Sequence, residues 1–276
     1  MLSILRRRES LPYPPVSLAK PAVGRTARAV AGFLLSFSLA RVAFAQAGPP
    51  MLTDDPGTAP KGMVEWNTAV TIQGNQDGSS ETLLPLVDVS YGLTEKVELN
   101  YESHWTVVRR PGEAAQAGWD DTTLAFKWRF ADEDKQGADI SFQPQYTFNT
   151  GQSAYRRGIL NKNSDLLLPF ELGKTFDSFV INVEVGRDFH AHQAAAYDYW
   201  FAGLTFGHKF TEEAEGILEF YMPDASRDFG HASVILNVGV RYDVGKNSSI
   251  IVSTGAGIAG STRPKIVGYY GYQIIF

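Results

Sequence analysis

Two-residue alternation over unusually long segments constrains this chain more than any other feature. It is clearest at residues 140–150, where Ile140, Phe142, Pro144, Tyr146 and Phe148 form one row and Asp139, Ser141, Gln143, Gln145, Thr147 and Asn149 the other. A β-strand turns successive side chains to opposite faces, so such a segment has one apolar and one polar face. In a soluble sandwich the apolar row is core; in a membrane barrel it faces lipid. Length chooses between them, because soluble strands usually run about 5–6 residues and a tilted membrane strand needs about 9–11. The alternation recurs near residues 62–73, 81–91, 96–108, 121–130, 138–150, 164–175, 179–190, 197–210, 215–222, 232–243, 248–257 and 266–276. Twelve is an even number, as a single-chain bacterial barrel with both termini on one side requires. The expected fold is therefore all-β: an antiparallel transmembrane β-barrel of about twelve strands.

Charge keeps to one row of each segment. Glu65, Asp88, Glu98, Glu102, His104, Lys127, Arg129, Glu171, Glu184, Asp188 and Arg241 all fall on polar faces, which makes them the candidate pore-lining residues. In an open channel they would tune selectivity; in a closed interior they would neutralise one another. Eight strands give a filled barrel and about sixteen an open pore, so twelve lies between. The connections alternate as well, with tight ones at 92–95, 177–178, 211–214 and 245–247, and longer ones at 109–118, 151–163, 191–196 and 223–231. Short periplasmic turns and long outer loops have this asymmetry.

The first 45 residues differ from the rest. Basic residues Arg6, Arg7, Arg8, Lys20, Arg25 and Arg28 precede an uncharged, largely apolar run at 29–40, and Ala43-Phe44-Ala45 follows. Twelve residues cannot span a bilayer, which takes about 20 in a helix, and a small-x-small pattern is a cleavage site. Residues 1–45 thus read as a signal peptide cut before Gln46. The arginine triplet partly matches a twin-arginine address, but no apolar pair follows it directly. The remaining 231 residues hold 18 basic and 29 acidic side chains, a formal charge of −11, which argues against nucleic acid as a partner. There is no cysteine, which excludes a thiolate metal site, a catalytic thiol and a disulfide framework.

The division expected is a signal peptide at 1–45, a periplasmic segment or plug at 46–61 and a barrel at 62–276. The 46–61 stretch contains Thr53-Asp54-Asp55-Pro56-Gly57-Thr58, which reads as a turn with carboxylates bonding nearby amides, or as a cation site of clustered carboxylate oxygens. With Gly62-Met63-Val64-Glu65-Trp66-Asn67 and the later Gly118-Trp119-Asp120-Asp121, Lys127-Trp128-Arg129-Phe130, Phe148-Asn149-Thr150-Gly151 and Asn182-Val183-Glu184-Val185-Gly186, it resembles the bacterial family of MetA-pathway phenol-degradation proteins, also called simply transporters. The resemblance covers most of residues 51–276. It implies an outer-membrane channel or transporter for small, aromatic or hydrophobic solutes, and it carries over no catalytic residue, metal or cofactor.

Two other readings stay open. A lipid-modifying hydrolase would need a nucleophile, a base and an orienting group. Of the five histidines, His104 follows Ser103 directly, His190 and His192 flank Ala191 near Asp188, and His208 and His231 complete the set, with no nucleophile motif among them. The His190/His192 pair lacks a placed third ligand for a metal. A purely structural barrel is the other. Finally, Phe276, Ile274, Tyr272 and Tyr270 share one face at the carboxyl terminus. A terminal phenylalanine resembles the signal that barrel-assembly machinery recognises, so the expected partners are that machinery, outer-membrane lipid and lipopolysaccharide, and a small-molecule solute.

Overall fold

The computed structural model describes residues 50–159, 164–191, 198–225 and 232–276. It adds two three-residue strands, Arg6–Arg8 and Ala45–Ala47, which pair with each other outside the main sheet. The expected signal peptide falls almost wholly outside the described residues, as do His192 and His231.

Each alternating segment forms a strand: β1 (Val64–Gly74), β2 (Ser80–Gly92), β3 (Val97–Arg109), β4 (Gln116–Ala131), β5 in two halves (Asp139–Phe142 and Gln145–Phe148) and β6 (Ser164–Phe176). The series continues with β7 (Phe179–Ala191), β8 (Tyr199–Lys209), β9 (Ala214–Ala225), β10 (Val234–Gly245), β11 (Ser248–Ala259) and β12 (Ile266–Ile275). Every strand pairs antiparallel with the next. β12 returns to β1, with Ile266 opposite Gly74 and Ile275 opposite Glu65, so the sheet closes into a twelve-stranded barrel without an open edge. Among the described residues no helix is long and apolar enough to cross a membrane.

The segment with the cleanest alternation is the one the structure breaks. Pro144 has no N–H to donate, and the ladder of β5 stops at Gln143 and Pro144. The neighbours adapt: Pro144 O accepts from Phe126 N–H at 3.1 Å, and Gln143 N–H donates to Pro169 O at 3.2 Å. Pro85 causes a second departure. The register between β2 and β3 shifts between Leu83 and Leu86, and both leucines are buried although they are an odd number of residues apart.

The outward row is mostly apolar; Arg187 departs from the expectation that charge keeps to the inner row, and lies 5.4 Å over the ring of outward Trp200 at the long-loop end. Trp66, Tyr91, Trp128, Phe130, Phe176 and Phe179 are exposed at the short-turn end, and Trp119, Tyr146, Phe148 and Trp200 at the long-loop end. Trp105 packs edge-on against Trp119 with ring centres 5.7 Å apart. Two aromatic girdles around an apolar band are what a barrel in lipid presents.

The lumen is not open space, for residues 50–59 are all buried. From Val64 at the short-turn end, the chain runs back into the barrel and crosses it to the wall of β10 and β11. Inward glycines make room for it. A Cβ at Gly203 would lie 2.0 Å from Thr53 Oγ1, and one at Gly239 would lie 2.2 Å from Met51 Cε.

Candidate functional site

The inner segment is a stretch of extended backbone whose amides need acceptors, and the barrel wall supplies them as carboxylates. Glu219 on β9 accepts from Leu52 N–H at 2.8 Å and Thr53 N–H at 2.6 Å. Glu184 on β7 accepts from Asp54 N–H at 2.9 Å, and Glu98 on β3 accepts from Ala59 N–H at 2.7 Å. Ser253 Oγ donates to Pro50 O at 2.6 Å. A buried amide without an acceptor costs about 1–3 kcal/mol, so these bonds hold the segment in place.

At its turn the segment meets the ammonium of Lys127. Asp55 Oδ1 accepts from Gly57 N–H at 2.7 Å, and Asp54 Oδ1 accepts from Asp55 N–H at 2.9 Å, which is the amide-bonded turn expected. Lys127 Nζ, fully buried, lies 3.2 Å from Asp54 Oδ1 and 3.0 Å from Glu171 Oε2, and donates to Asp55 O at 2.5 Å. The cation gathered by these carboxylates is thus a side chain of the barrel wall. Burial pushes the Asp55 carboxyl well above the usual carboxylate range, against the opposing pull of Lys127.

All eleven candidate pore-lining residues turn inward, and the structure sorts them into groups. Glu98, Lys127, Glu171 and Glu184 bind the inner segment, directly or through Lys127. Glu65 accepts from Asn67 at 3.1 Å and Asp88 from Asn100 at 2.5 Å. Arg129 reaches Glu95 O at 2.9 Å and Asp132 at 3.3 Å, and Arg241 donates to Ser249 Oγ at 2.8 Å, both near the short turns. Asp132 also pairs with Lys96 at 2.6 Å; slight desolvation would raise its carboxyl, but that bond and the charges of Arg129 and Lys96 hold it below its ordinary value. His104 sits between Asp120 at 3.0 Å and Glu102 at 3.6 Å. Asp188 accepts from Tyr199 Oη at 2.9 Å.

Glu219, Asn237, Ser253 and Ser141 are site residues that alternation alone does not single out. Asn237 donates to Glu219 Oε2 at 3.1 Å, and Ser141 bonds Glu171. The inward parity of Glu219 was visible, but its pairing with residues 52 and 53 spans over 160 positions and leaves no local trace. The pleat decides another point: Glu102, His104 and Thr106 face the lumen, so Ser103 faces the lipid and cannot serve His104 as a nucleophile.

Toward the long loops the lining changes character. Leu52, Leu167, Phe201, Tyr221, Ile235 and Val267 pack into one buried apolar cluster. Beside it lies a cavity of about 190 Å³ bounded by Leu52, Tyr221, Pro223, Ile235, Pro264 and Val267, with Gln73, Asp224, Ser233 and Thr262 as its polar edge. An apolar cavity of about 150 Å³ is enough for benzene. One ring therefore fits above the inner segment.

The profile of the family described as "Putative MetA-pathway of phenol degradation" matches residues 61–273. No curated protein matches the chain. Among solved structures the barrel is similar to the COG4313 outer membrane channel from Pseudomonas putida F1, at 14% identity and a TM-score of 0.61, covering 80% of this chain and 98% of that one. It is less similar to the KdgM porin (13% identity, TM-score 0.49, 78% and 99% covered) and to the Ralstonia pickettii toluene transporter TbuX (11%, 0.46, 78% and 90%). The fold is that of an outer-membrane channel.

Proposed function

Because the chain belongs to this phenol-degradation family, we propose that it is an outer-membrane channel that admits small hydrophobic solutes, monoaromatic ones above all, through its long-loop mouth. The observation that carries this reading is the 190 Å³ cavity lined by Leu52, Tyr221, Ile235 and Val267. Leu52, Ile235, Pro264 and Val267 give the cavity an apolar side that suits an uncharged ring, and Gln73, Asp224, Ser233 and Thr262 give it a polar side that suits a ring hydroxyl. The inner segment is the plug in this reading: its bonds to Glu98, Glu184 and Glu219 close the lower lumen while the cavity above stays accessible. Of the eleven inward charges, Glu98, Lys127, Glu171 and Glu184 then serve the plug, and Arg129 and Arg241 the lower wall.

An apolar solute crosses a plain phospholipid bilayer unaided, so the test uses intact cells whose outer leaflet is lipopolysaccharide. Cells making the protein should take up labelled toluene several-fold faster than cells without it. Ile235→Glu places a charge in the cavity and should abolish most of that gain, while the amount of barrel in the membrane stays the same. Equal uptake with and without the protein would refute the reading.

The same proposal gives the end of the chain a role in reaching the membrane. Phe276 N–H donates to Val64 O at 2.9 Å, Val64 N–H donates to Phe276 O at 2.7 Å, and the exposed ring lies on the lipid-facing row with Tyr270 and Tyr272. Recognition of this strand by barrel-assembly machinery predicts that deleting Phe276 lowers the quantity of heat-modifiable barrel in outer-membrane fractions. Conductance per assembled molecule should not change; a normal quantity of barrel would remove Phe276 from the assembly signal.

A further inference from the structure

Three ligand-type side chains outside both the plug contacts and the cavity meet at the long-loop end of the lumen. The β6–β7 ladder sets His190 opposite Asp165, and Asp188 precedes His190 by two residues on the same inward row. One ligand atom from each lies within 4.8 Å of the other two. His190 Nδ1 is 3.3 Å from Asp188 Oδ1 and 3.4 Å from Asp165 Oδ1. An ordinary ion pair would aim one N–H at one oxygen. Here His190 Nδ1 lies between the two oxygens and meets neither in good hydrogen-bond geometry, although Asp188 is only 1% exposed. A buried carboxylate oxygen with a shared, poorly aligned partner is held at a cost, and an ion between these three groups would remove it.

The spacing suits a metal ion. Ligand atoms about 2.0–2.2 Å from a tetrahedral zinc are about 3.3–3.6 Å apart, the same as the two nitrogen–oxygen distances. The surroundings act as an outer shell: Tyr199 Oη donates to the other oxygen of Asp188 at 2.9 Å, its ring meets that of His190 edge-on at 5.1 Å, and His190 N–H donates to Asp198 Oδ1 at 3.3 Å. We propose that Asp165, Asp188 and His190 bind a divalent transition-metal ion of the zinc class, with the remaining position open to water in the mouth of the barrel. One imidazole with two carboxylates suits zinc, cobalt or nickel better than calcium, which takes six to eight oxygens. The ion would join β6 to β7 at the root of the loop that leads to β8.

The test uses untagged, chelator-treated, full-length protein in detergent at neutral pH, titrated with Zn²⁺ by calorimetry and with Co²⁺ by visible absorption. One equivalent should bind, with the cobalt spectrum of a four-coordinate nitrogen–oxygen site. Asp165→Asn at the rim and His190→Ala should each weaken binding at least about tenfold. His208→Ala, whose ring stacks on Phe179 at the opposite end of the barrel, should leave it unchanged. Heat-modifiable migration confirms that each variant is folded, and Asp165→Asn keeps the test decisive if His190→Ala does not fold. No saturable binding by the unsubstituted protein, or undiminished binding in folded Asp165→Asn, would overturn the proposal. Neither outcome depends on whether the protein conducts a solute.

Discussion

A chain lacking residues 50–60 is expected to conduct ions about an order of magnitude better than the full-length barrel in planar bilayers, because a twelve-stranded wall encloses more than its own side chains fill. Those residues cross the lumen, and without them the acceptors Glu98, Glu184 and Glu219 face water. Gly203→Val approaches the same state with the segment intact. Its new side chain would begin 2.0 Å from Thr53 Oγ1, so the segment must leave its groove or the wall must move. Conductance should rise in both variants, with brief closures in the second as the segment re-enters. Unaltered conductance in both would mean that the lower lumen is closed by the wall alone.

Lys127→Met should be the most damaging single substitution in the interior. It leaves Glu171 and Asp54 without the ammonium that lies 3.0 and 3.2 Å away, and removes the donor to Asp55 O. Removing one partner of a buried pair costs about 3–5 kcal/mol, whereas replacing both by uncharged groups of similar size is often neutral. The urea midpoint of the folded, heat-modifiable barrel should therefore fall sharply in Lys127→Met and recover in part in Lys127→Met/Glu171→Gln. Equal losses in the single and double variants would show that Glu171 does not depend on Lys127.

The faces of the barrel were legible in the sequence because period two is imposed by the pleat itself. Val97, Leu99 and Tyr101 face lipid and Glu98, Asn100 and Glu102 the lumen, whatever their neighbours are. Strand ends followed to within about three residues, since turn residues such as Asp177-Ser178 punctuate the alternation; β4 is the exception, beginning at Gln116, five residues before the alternation and inside the stretch expected as loop. Pro144 shows the limit of that reasoning: its side chain keeps the alternation while its missing N–H breaks the ladder. The role of the inward charges was not legible. Glu219 meets residues 52 and 53 only because the barrel has closed, and no spacing encodes that. The cavity had a weaker signal. Tyr221, Ile235 and Val267 are bulky residues on inward rows that elsewhere carry Glu219, Asn237 and Gln273, and they share one end of the barrel only after the strands are aligned by height.

The inner segment also sets an order of events. Its bonds join residues 39, 130, 166, 167 and 203 positions apart, the last from Pro50 to Ser253 on β11. Contacts between parts of the chain so far apart form slowly, since the entropy of closing each loop must be met before the contact returns anything. The wall that receives residues 50–59 is incomplete until β11 is in place. Residues that precede every strand of the wall therefore cannot complete their contacts until eleven strands are present.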